Sequence, residues 1–289
     1  MSTWREALKA GEEMLVRAGV PDGAYDAWAL MEFAFAMEKS YYFLHADDKM
    51  EEKQRERYQE VLEKRAERIP LQQITGSAWF MGYEVYVNDH VLIPRFDTEI
   101  LVEEAGKLLK QERKLLDLCT GSGCVLLSLL AEHRGLNLTG VGVDISPQAL
   151  EVAKENARRL DVKAELVESD LFSSVEGKYH VITANPPYIA SKEIGQLMPE
   201  VRDHEPHLAL DGKEDGLYFY RKIVEQAPDY LEESGWLCLE IGYDQGESLK
   251  TMMEEQGYDQ IRIVKDLAGL DRVVIGQKNG KIRRKENVW

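Results

Sequence analysis

From about residue 97 onward the chain alternates short apolar runs with amphipathic ones, and this alternation limits the fold more than any other feature. KLLDL reads as a strand, followed by a glycine turn and the helix CVLLSLLAEH. LTGVGVD is the next strand, leading into SPQALEVAKENARRL, a helix with Ser146 as N-cap and Pro147 at its first position. KAELVES and YHVITA are further strands. A helix around 217–233, the strand WLCLEIG, a helix near 246–256 and the strands IRIVKD and RVVIGQ complete the pattern. Strand alternating with helix predicts an α/β domain, a parallel sheet with helices on both faces. In such sheets ligands bind at the carboxyl ends of the strands.

The preceding residues have another character. Residues 1–72 read as a helical bundle of three segments. WREALKAGEEMLVRAG carries apolar positions at Trp4, Leu8, Leu15 and Val16; a second helix from Pro21-Asp22 offers Trp28, Met31, Phe33 and Phe35; MEEKQRERYQEVLEKRAER is a third. These aromatics are expected in a core. Residues 73–96 contain aromatic and β-branched positions on either side of Met81-Gly82, a β-hairpin signal and a candidate linker. The expected division is therefore 1–72, 73–96, a main domain over 97–280, and a basic, solvated tail over 281–289.

DLCTGSGC stands where the first strand of the main domain meets its first helix. Gly121 and Gly123 permit a tight turn and a close backbone approach to a ligand. The dinucleotide pattern fails, because Leu126 occupies its third glycine position, and no Gly-Lys-Ser/Thr follows to make a phosphate loop. What remains is an acidic-x-small-x-Gly-x-Gly run, Asp117, Cys119, Gly121 and Gly123, the S-adenosylmethionine pattern of α/β methyltransferases. Cys119, Thr120, Gly121, Ser122 and Gly123 are thus candidate cofactor contacts. Asp144 ends the second strand, where a carboxylate can accept from both hydroxyls of a ribose. After the third strand, Asp170 can accept from an adenine amino group and Leu171 can pack on the ring.

The fourth strand delivers Asn185-Pro186-Pro187-Tyr188 to the same end of the sheet. Two prolines lack N–H donors, so the segment is rich in acceptors. A planar –NH2 group is a poor nucleophile because its lone pair is delocalised. If the Asn185 side-chain oxygen takes one N–H and the Pro186 carbonyl the other, both bonds strengthen as positive charge develops on nitrogen. Tyr188 can stack on the flat group and hold it in line with a methyl donor. No general base is needed before attack, since the methylated, cationic nitrogen sheds its proton readily.

Composition narrows the partners. A formal charge of −16 argues against direct nucleic-acid binding and favours a basic protein or a cationic ligand. No apolar run has membrane-span length, and MSTWREALKAGEEML lacks an apolar signal core, so no membrane association and a cytoplasmic location are expected. Cys119, Cys124 and Cys238 form no CxxC pair and read as reduced thiols. His204 and His207 have ligand-like spacing, but nothing completes a metal set, and no metal is expected.

Taken with PLQQITGSAWFMGYEVYVNDHVLIPRFDTE, EVRDHEPHLALDGKEDGLYFYRKI, LEIGYDQG and DLAGLDRVV, these motifs make the chain resemble the bacterial release-factor glutamine methyltransferases, the PrmC/HemK family. The resemblance implies a Rossmann-like class I S-adenosylmethionine-dependent methyltransferase domain behind a small helical domain that docks the substrate protein. It implies methyl transfer to the amide nitrogen, N5, of the glutamine in the Gly-Gly-Gln motif of peptide chain release factors, in translation termination. It places Cys119 to Gly123, Asp144, Leu171 and Asn185 at the cofactor and Asn185 to Tyr188 at the substrate glutamine. This chain departs at Cys119, where the family more often has glycine, and at Phe96, which replaces a commoner proline; a small residue fits position 119 if its φ is negative. Two alternatives remain open: an adenine-N6 methyltransferase, whose amine the same acceptors would hold, and a non-catalytic partner of translation factors.

Overall fold

In the computed structural model, which describes residues 2–279, the chain divides into two compact units. One runs to Ser77 and also takes in Leu197–His204; the other comprises Ala78–Gln196 and the chain from Glu205 onward. The basic tail expected at 281–289 lies outside the described residues.

The first unit contains five helices before the hairpin: α1 (Trp4–Arg17), α2 (Gly23–Phe35), α3 (Lys39–His45), α4 (Glu52–Ala66) and α5 (Leu71–Thr75). A capping box between Thr3 and Glu6 starts α1. Trp4, Leu15, Leu30, Met31, Tyr58 and Leu62 share one core, but Phe33, expected inside, is 45% exposed, and Val16 of the apolar pattern of α1 is 62% exposed. Helical spacing alone did not separate the flank of the apolar stripe from its centre. Arg65 of α4 is buried between two carboxylates, donating to Asp26 at 2.7 Å and Glu200 at 2.9 Å, and Arg68 adds a second arm to Glu200. This clamp fastens residues 197–204 to α4, a long-range pairing that the polar run MPEVRDH does not advertise.

In the second unit, β1 (Ser77–Phe80) and β2 (Tyr83–Tyr86) form the two-stranded hairpin expected from the sequence. Met81 and Gly82 both have positive φ, 50° and 74°, as a two-residue turn matched to strand twist requires. Then follow α6 (Glu99–Gly106), β3 (Lys114–Leu118), α7 (Cys124–Glu132), β4 (Thr139–Asp144), α8 (Pro147–Arg159), β5 (Glu165–Glu168) and β6 (Tyr179–Ala184). Beyond them come α9 (Pro199–His204), which belongs to the first unit, α10 (His207–Leu210), α11 (Tyr218–Tyr230), β7 (Leu231–Glu240), α12 (Gly246–Gln256), β8 (Tyr258–Lys265) and β9 (Asp271–Lys278).

The seven-stranded sheet has the order β5-β4-β3-β6-β7-β9-β8. Strand residues alternate between two cores, as a sheet covered on both faces demands. Leu115, Val181, Val273 and Ile275 pack with α6, α7 and α8, whereas Leu116, Leu118, Ile182, Ala184 and Val274 pack with α11 and α12. The expectation of a wholly parallel sheet is corrected at one edge: β9 pairs antiparallel with both β7 and β8. A fully buried apolar strand such as RVVIGQ carries no mark of its direction, so the alternation could not reveal this reversal.

Chain order reverses at β3. The helix after β3 leads to β4 on one side, and the chain later returns to β6 on the other. Leu118 is in register with Val143 and with Ala184, and Ala184 with Leu239. The ends of these strands therefore lie level, and the loops leaving β3 and β6 meet at the topological switch point, where such sheets bind ligands.

Candidate active site

A cleft of about 300 Å³ opens at that switch point, wholly within the second unit. Its wall takes Cys119, Thr120, Gly121 and Ser122 from the glycine turn, Asp144 from β4, Asp170 and Leu171 from beyond β5, and Asn185 and Pro187 from beyond β6. Most of the residues singled out from sequence are thus brought together. Gly123, Pro186 and Tyr188 do not border the cleft.

Asp117 organises the glycine turn from beneath. Thr120 and Thr183 donate their hydroxyls to its two oxygens, each at 2.6 Å. Burial pushes the Asp117 carboxyl up to about 6 against these bonds. Gly121 has φ +54°, and a Cβ there would point into open space, so the turn presents backbone to the cleft. Gly123 serves packing instead: with φ +78°, its Cβ would come within 2.9 Å of Leu127 and 3.2 Å of Ala153. Cys119 has φ +55°. The negative φ under which a small residue would fit this position is therefore not what the chain adopts, and Cys119 holds a left-handed conformation that costs an L-residue about 1–2 kcal/mol.

Asp144 accepts from the Gly121 N–H at 2.8 Å and the Ser146 N–H at 2.9 Å through different oxygens. Burial raises its pKa despite those bonds. Each oxygen retains a second lone pair for a ligand hydroxyl. Asp170 is exposed, and Leu171 is buried with φ +50°. All three cysteines are free thiols; burial pushes Cys124 and Cys238 up to about 12 and also raises Cys119, so none is an activated nucleophile. His204 Nε2 lies 3.2 Å from the Glu67 carbonyl, and no three potential metal ligands gather among the described residues.

Asn185 follows β6 directly. Its Nδ2 donates to Thr98 Oγ1 at 3.4 Å, and its Oδ1 makes no hydrogen bond to the described residues. Tyr188 turns away from the cleft into the core on the α11 face, with its hydroxyl 3.3 Å from Glu240 Oε1. Stacking of this ring on a guest in the cleft, the role expected from sequence, does not match that placement. Sequence reasoning missed several wall residues: Thr98, Arg95, Leu208, Phe219 and Lys222. Their segments, IPRFDTE, EPHLAL and LYFYRKI, were noted as distinctive without a chemical reason attached to any one position.

The cleft suits S-adenosylmethionine on its own features. The acidic lining from Asp117, Asp144 and Asp170 favours a sulfonium cation. Ser122 Oγ is buried and completes no hydrogen bond, its neighbour being the weakly bonding Cys124 thiol.

Residues 6–76 match the PrmC N-terminal domain family, and residues 94–213 match the methyltransferase small domain family. The release factor glutamine methyltransferase of Cereibacter sphaeroides is 41% identical over 271 residues, covering 93% of this chain and 96% of that protein. The chain belongs to the release factor glutamine methyltransferase family. The enzyme of that name from Geobacter sulfurreducens is 36% identical over 276 residues, covering 95% of this chain and 96% of the relative. Among solved structures, a methyltransferase from Pyrococcus furiosus is 20% identical with a TM-score of 0.51, covering 68% of this chain and 90% of that one. The hMettl16 catalytic domain in complex with a MAT2A 3'UTR hairpin is 16% identical with a TM-score of 0.54, covering 70% and 78%. Both agree with the family assignment at the level of the methyltransferase fold.

Proposed function

We propose that this chain transfers a methyl group from S-adenosylmethionine to the side-chain amide nitrogen of the glutamine in the Gly-Gly-Gln motif of peptide chain release factors. Family membership over nearly the whole chain supports the reaction. The observation that carries the chemistry is Asn185 at the switch-point cleft, its Nδ2 engaged by Thr98 and its Oδ1 left for a guest.

The cofactor, when bound, supplies an electrophilic methyl on a cationic sulfur. The chain's own residues do the rest. The glycine turn from Cys119 to Gly123 gives the cofactor a backbone surface, Asp144 accepts from ribose hydroxyls, and Asp170 and Leu171 hold the adenine. Asn185 Oδ1 accepts one N–H of the substrate amide. The Pro186 carbonyl, between two residues that border the cleft, is assigned the other. These bonds gain strength as the nitrogen becomes cationic, so they favour the transition state over the ground state. Pro187 closes the wall with a surface that offers no donor to compete.

The helical unit is assigned to docking the release factor. Phe43 and Leu44 of α3 are 76% and 82% exposed, a largely solvent-facing apolar pair of which Phe43 meets the edge of the Tyr42 ring. No helix among the described residues is long and apolar enough to cross a membrane. A translation factor as substrate supports a cytoplasmic enzyme.

Mass spectrometry of a release factor after incubation with S-adenosylmethionine tests the reading. The expected result is one methyl on the Gly-Gly-Gln glutamine, absent with Asn185→Ala. Methylation of DNA in a parallel reaction, with none of the release factor, would instead support an adenine-N6 enzyme. Phe43→Ser with Leu44→Ser should raise KM for the release factor and leave KM for the cofactor unchanged; equal effects on both would remove the docking role.

A further inference from the structure

Arg95, Lys213 and Lys222 bring positive charge to the wall of the cleft. Two of them are engaged away from a ligand. Lys213 Nζ lies 3.0 Å from Asp211 Oδ2, and Lys222 Nζ sits 4.7 Å from the centre of the Tyr218 ring. Arg95 is held differently. Its Nη2 donates to Glu205 Oε1 at 2.5 Å, a pair formed within the second unit. The Glu205 side chain is 1% exposed, and that of Arg95 is 39% exposed. Glu205 Oε2 completes no hydrogen bond among the described residues. A carboxyl at this depth is costly unless something pairs with it, so Glu205 reads as the fixed anchor of the guanidinium. That group has five N–H donors. Among the described residues, Nη2 is the one guanidinium nitrogen of Arg95 with a hydrogen-bond partner, and the donors on Nε and Nη1 are left over at the cleft wall.

The strand order says which end of a ligand they meet. Passing from β5 through β4 and β3 to β6, the cleft offers Asp170 and Leu171, then Asp144, then the glycine turn, then Asn185. With the adenine at Asp170 and Leu171 and the ribose at Asp144, as assigned above, the amino-acid end of S-adenosylmethionine falls on the β3–β6 side. Arg95 belongs to that side. Its carbonyl accepts from the Thr98 N–H at 3.0 Å, and Thr98 Oγ1 accepts from Asn185 Nδ2 at 3.4 Å. The amino-acid end carries a carboxylate. The acidic lining that favours the sulfonium repels this second charge. The carboxylate therefore needs a cation fixed at its own end of the cleft, and a planar guanidinium fork matches it in shape and charge.

We propose that Arg95 binds the carboxylate at the amino-acid end of the cofactor and that Glu205 is the positioning residue that holds the guanidinium at the wall. The proposal rests on S-adenosylmethionine as the cofactor. It divides the recognition between two charges: the acids receive the sulfonium and the adenosine, and Arg95 receives the tail.

Calorimetric titration of the full-length protein with two thioethers tests this. S-adenosylhomocysteine carries the amino-acid end; methylthioadenosine has the same adenosine and sulfur with a methyl group in its place. The wild type should bind the first more tightly. Arg95→Met should weaken S-adenosylhomocysteine about 10- to 100-fold, the range for losing a hydrogen bond between charged groups, and leave methylthioadenosine unchanged, which also checks folding. Arg95→Lys, which keeps the charge without the fork, should recover part of the loss. Glu205→Ala should weaken S-adenosylhomocysteine by less than Arg95→Met does, again with methylthioadenosine unchanged, because the guanidinium keeps its charge and loses its anchor. Arg95→Met that binds S-adenosylhomocysteine as the wild type does overturns the proposal, and so does an equal loss of both ligands, which would make Arg95 a structural residue. Glu205→Ala with wild-type affinity overturns the positioning role. A raised KM for the release factor beside unchanged S-adenosylhomocysteine affinity in Arg95→Met would assign the guanidinium to the protein substrate instead. Wild-type protein that binds neither thioether refutes the cofactor itself; wild-type protein that binds both, with Arg95→Met unchanged, refutes the role of Arg95 alone.

Discussion

The left-handed Cys119 gives a test whose sign is unusual. In strands and helix interiors glycine is the worse residue, by roughly 0.5–1 kcal/mol against alanine. At φ +55° the order should invert. An L-residue there carries about 1–2 kcal/mol of strain that glycine lacks, and glycine returns about 0.4–1 kcal/mol of that through the greater freedom of its unfolded chain. Cys119→Gly should therefore be more stable than Cys119→Ala by about 1 kcal/mol. With a urea m-value of about 3 kcal/mol/M, the midpoint of the glycine variant should lie roughly 0.3 M higher at equal m. Both variants lose the same Sγ packing against the sheet core, and the Cβ that alanine alone keeps works against the difference expected from the backbone. Cys119 itself shares the strain of alanine and keeps the sulfur. Alanine equal to or more stable than glycine would mean that the turn relaxes out of the left-handed region and that the strain assigned to it does not exist.

Glu200 in the helical unit is held down to about 2, where burial is outweighed by Arg68 and Arg65. A depressed carboxyl stabilises the fold above its unfolded range near 4.3, so stability of that unit should fall as pH drops toward about 2; Glu200→Ala should cost about 3 kcal/mol at neutral pH by leaving buried Arg65 half-paired, both read by urea denaturation. Asn156, 0% exposed, accepts from the Tyr86 N–H at 2.7 Å and donates to the Tyr86 and Ser122 carbonyls at 2.9 Å. Asn156→Ala should destabilise the protein by about 3 kcal/mol through these unpaired groups and weaken cofactor binding through the turn, measured by denaturation and calorimetry. Glu240 has the opposite sign from Glu200: its raised pKa means the folded chain keeps the proton longer, so its stability falls as pH rises from the unfolded range to about 7 and then levels. Glu240→Gln should thus gain up to about 3 kcal/mol at pH 8 and nothing at pH 4, measured as a difference in urea midpoint.

Much of this site is local, and the local part was legible. The glycine turn, Asp144, Asp170 and the Asn185 motif each sit at a strand end, and a strand end is marked by its own few residues. Parallel pairing then levels those ends, so four separate signals become one cleft. The parts not legible are relations between distant segments. Glu200 is one acid in a polar run until Arg65 and Arg68 are placed beside it. Cys119 gives no sign of positive φ, because sulfur on Cβ does not mark that region as glycine or asparagine does. The placement of Tyr188 misled for a related reason: an aromatic after two prolines reads as a platform, and only the buried carboxyl behind it explains why the ring turns inward. Glu240 did carry a signal, an acid inside the otherwise apolar strand WLCLEIG. A carboxyl in such a run either breaks the strand or is buried, and a buried one must find donors. Its donor is the Tyr188 hydroxyl at 3.3 Å, from the loop that also carries Asn185. Leucine would pack there at no electrostatic cost. What the acid does in the structure is tie the Tyr188 end of the Asn185-to-Tyr188 segment to β7.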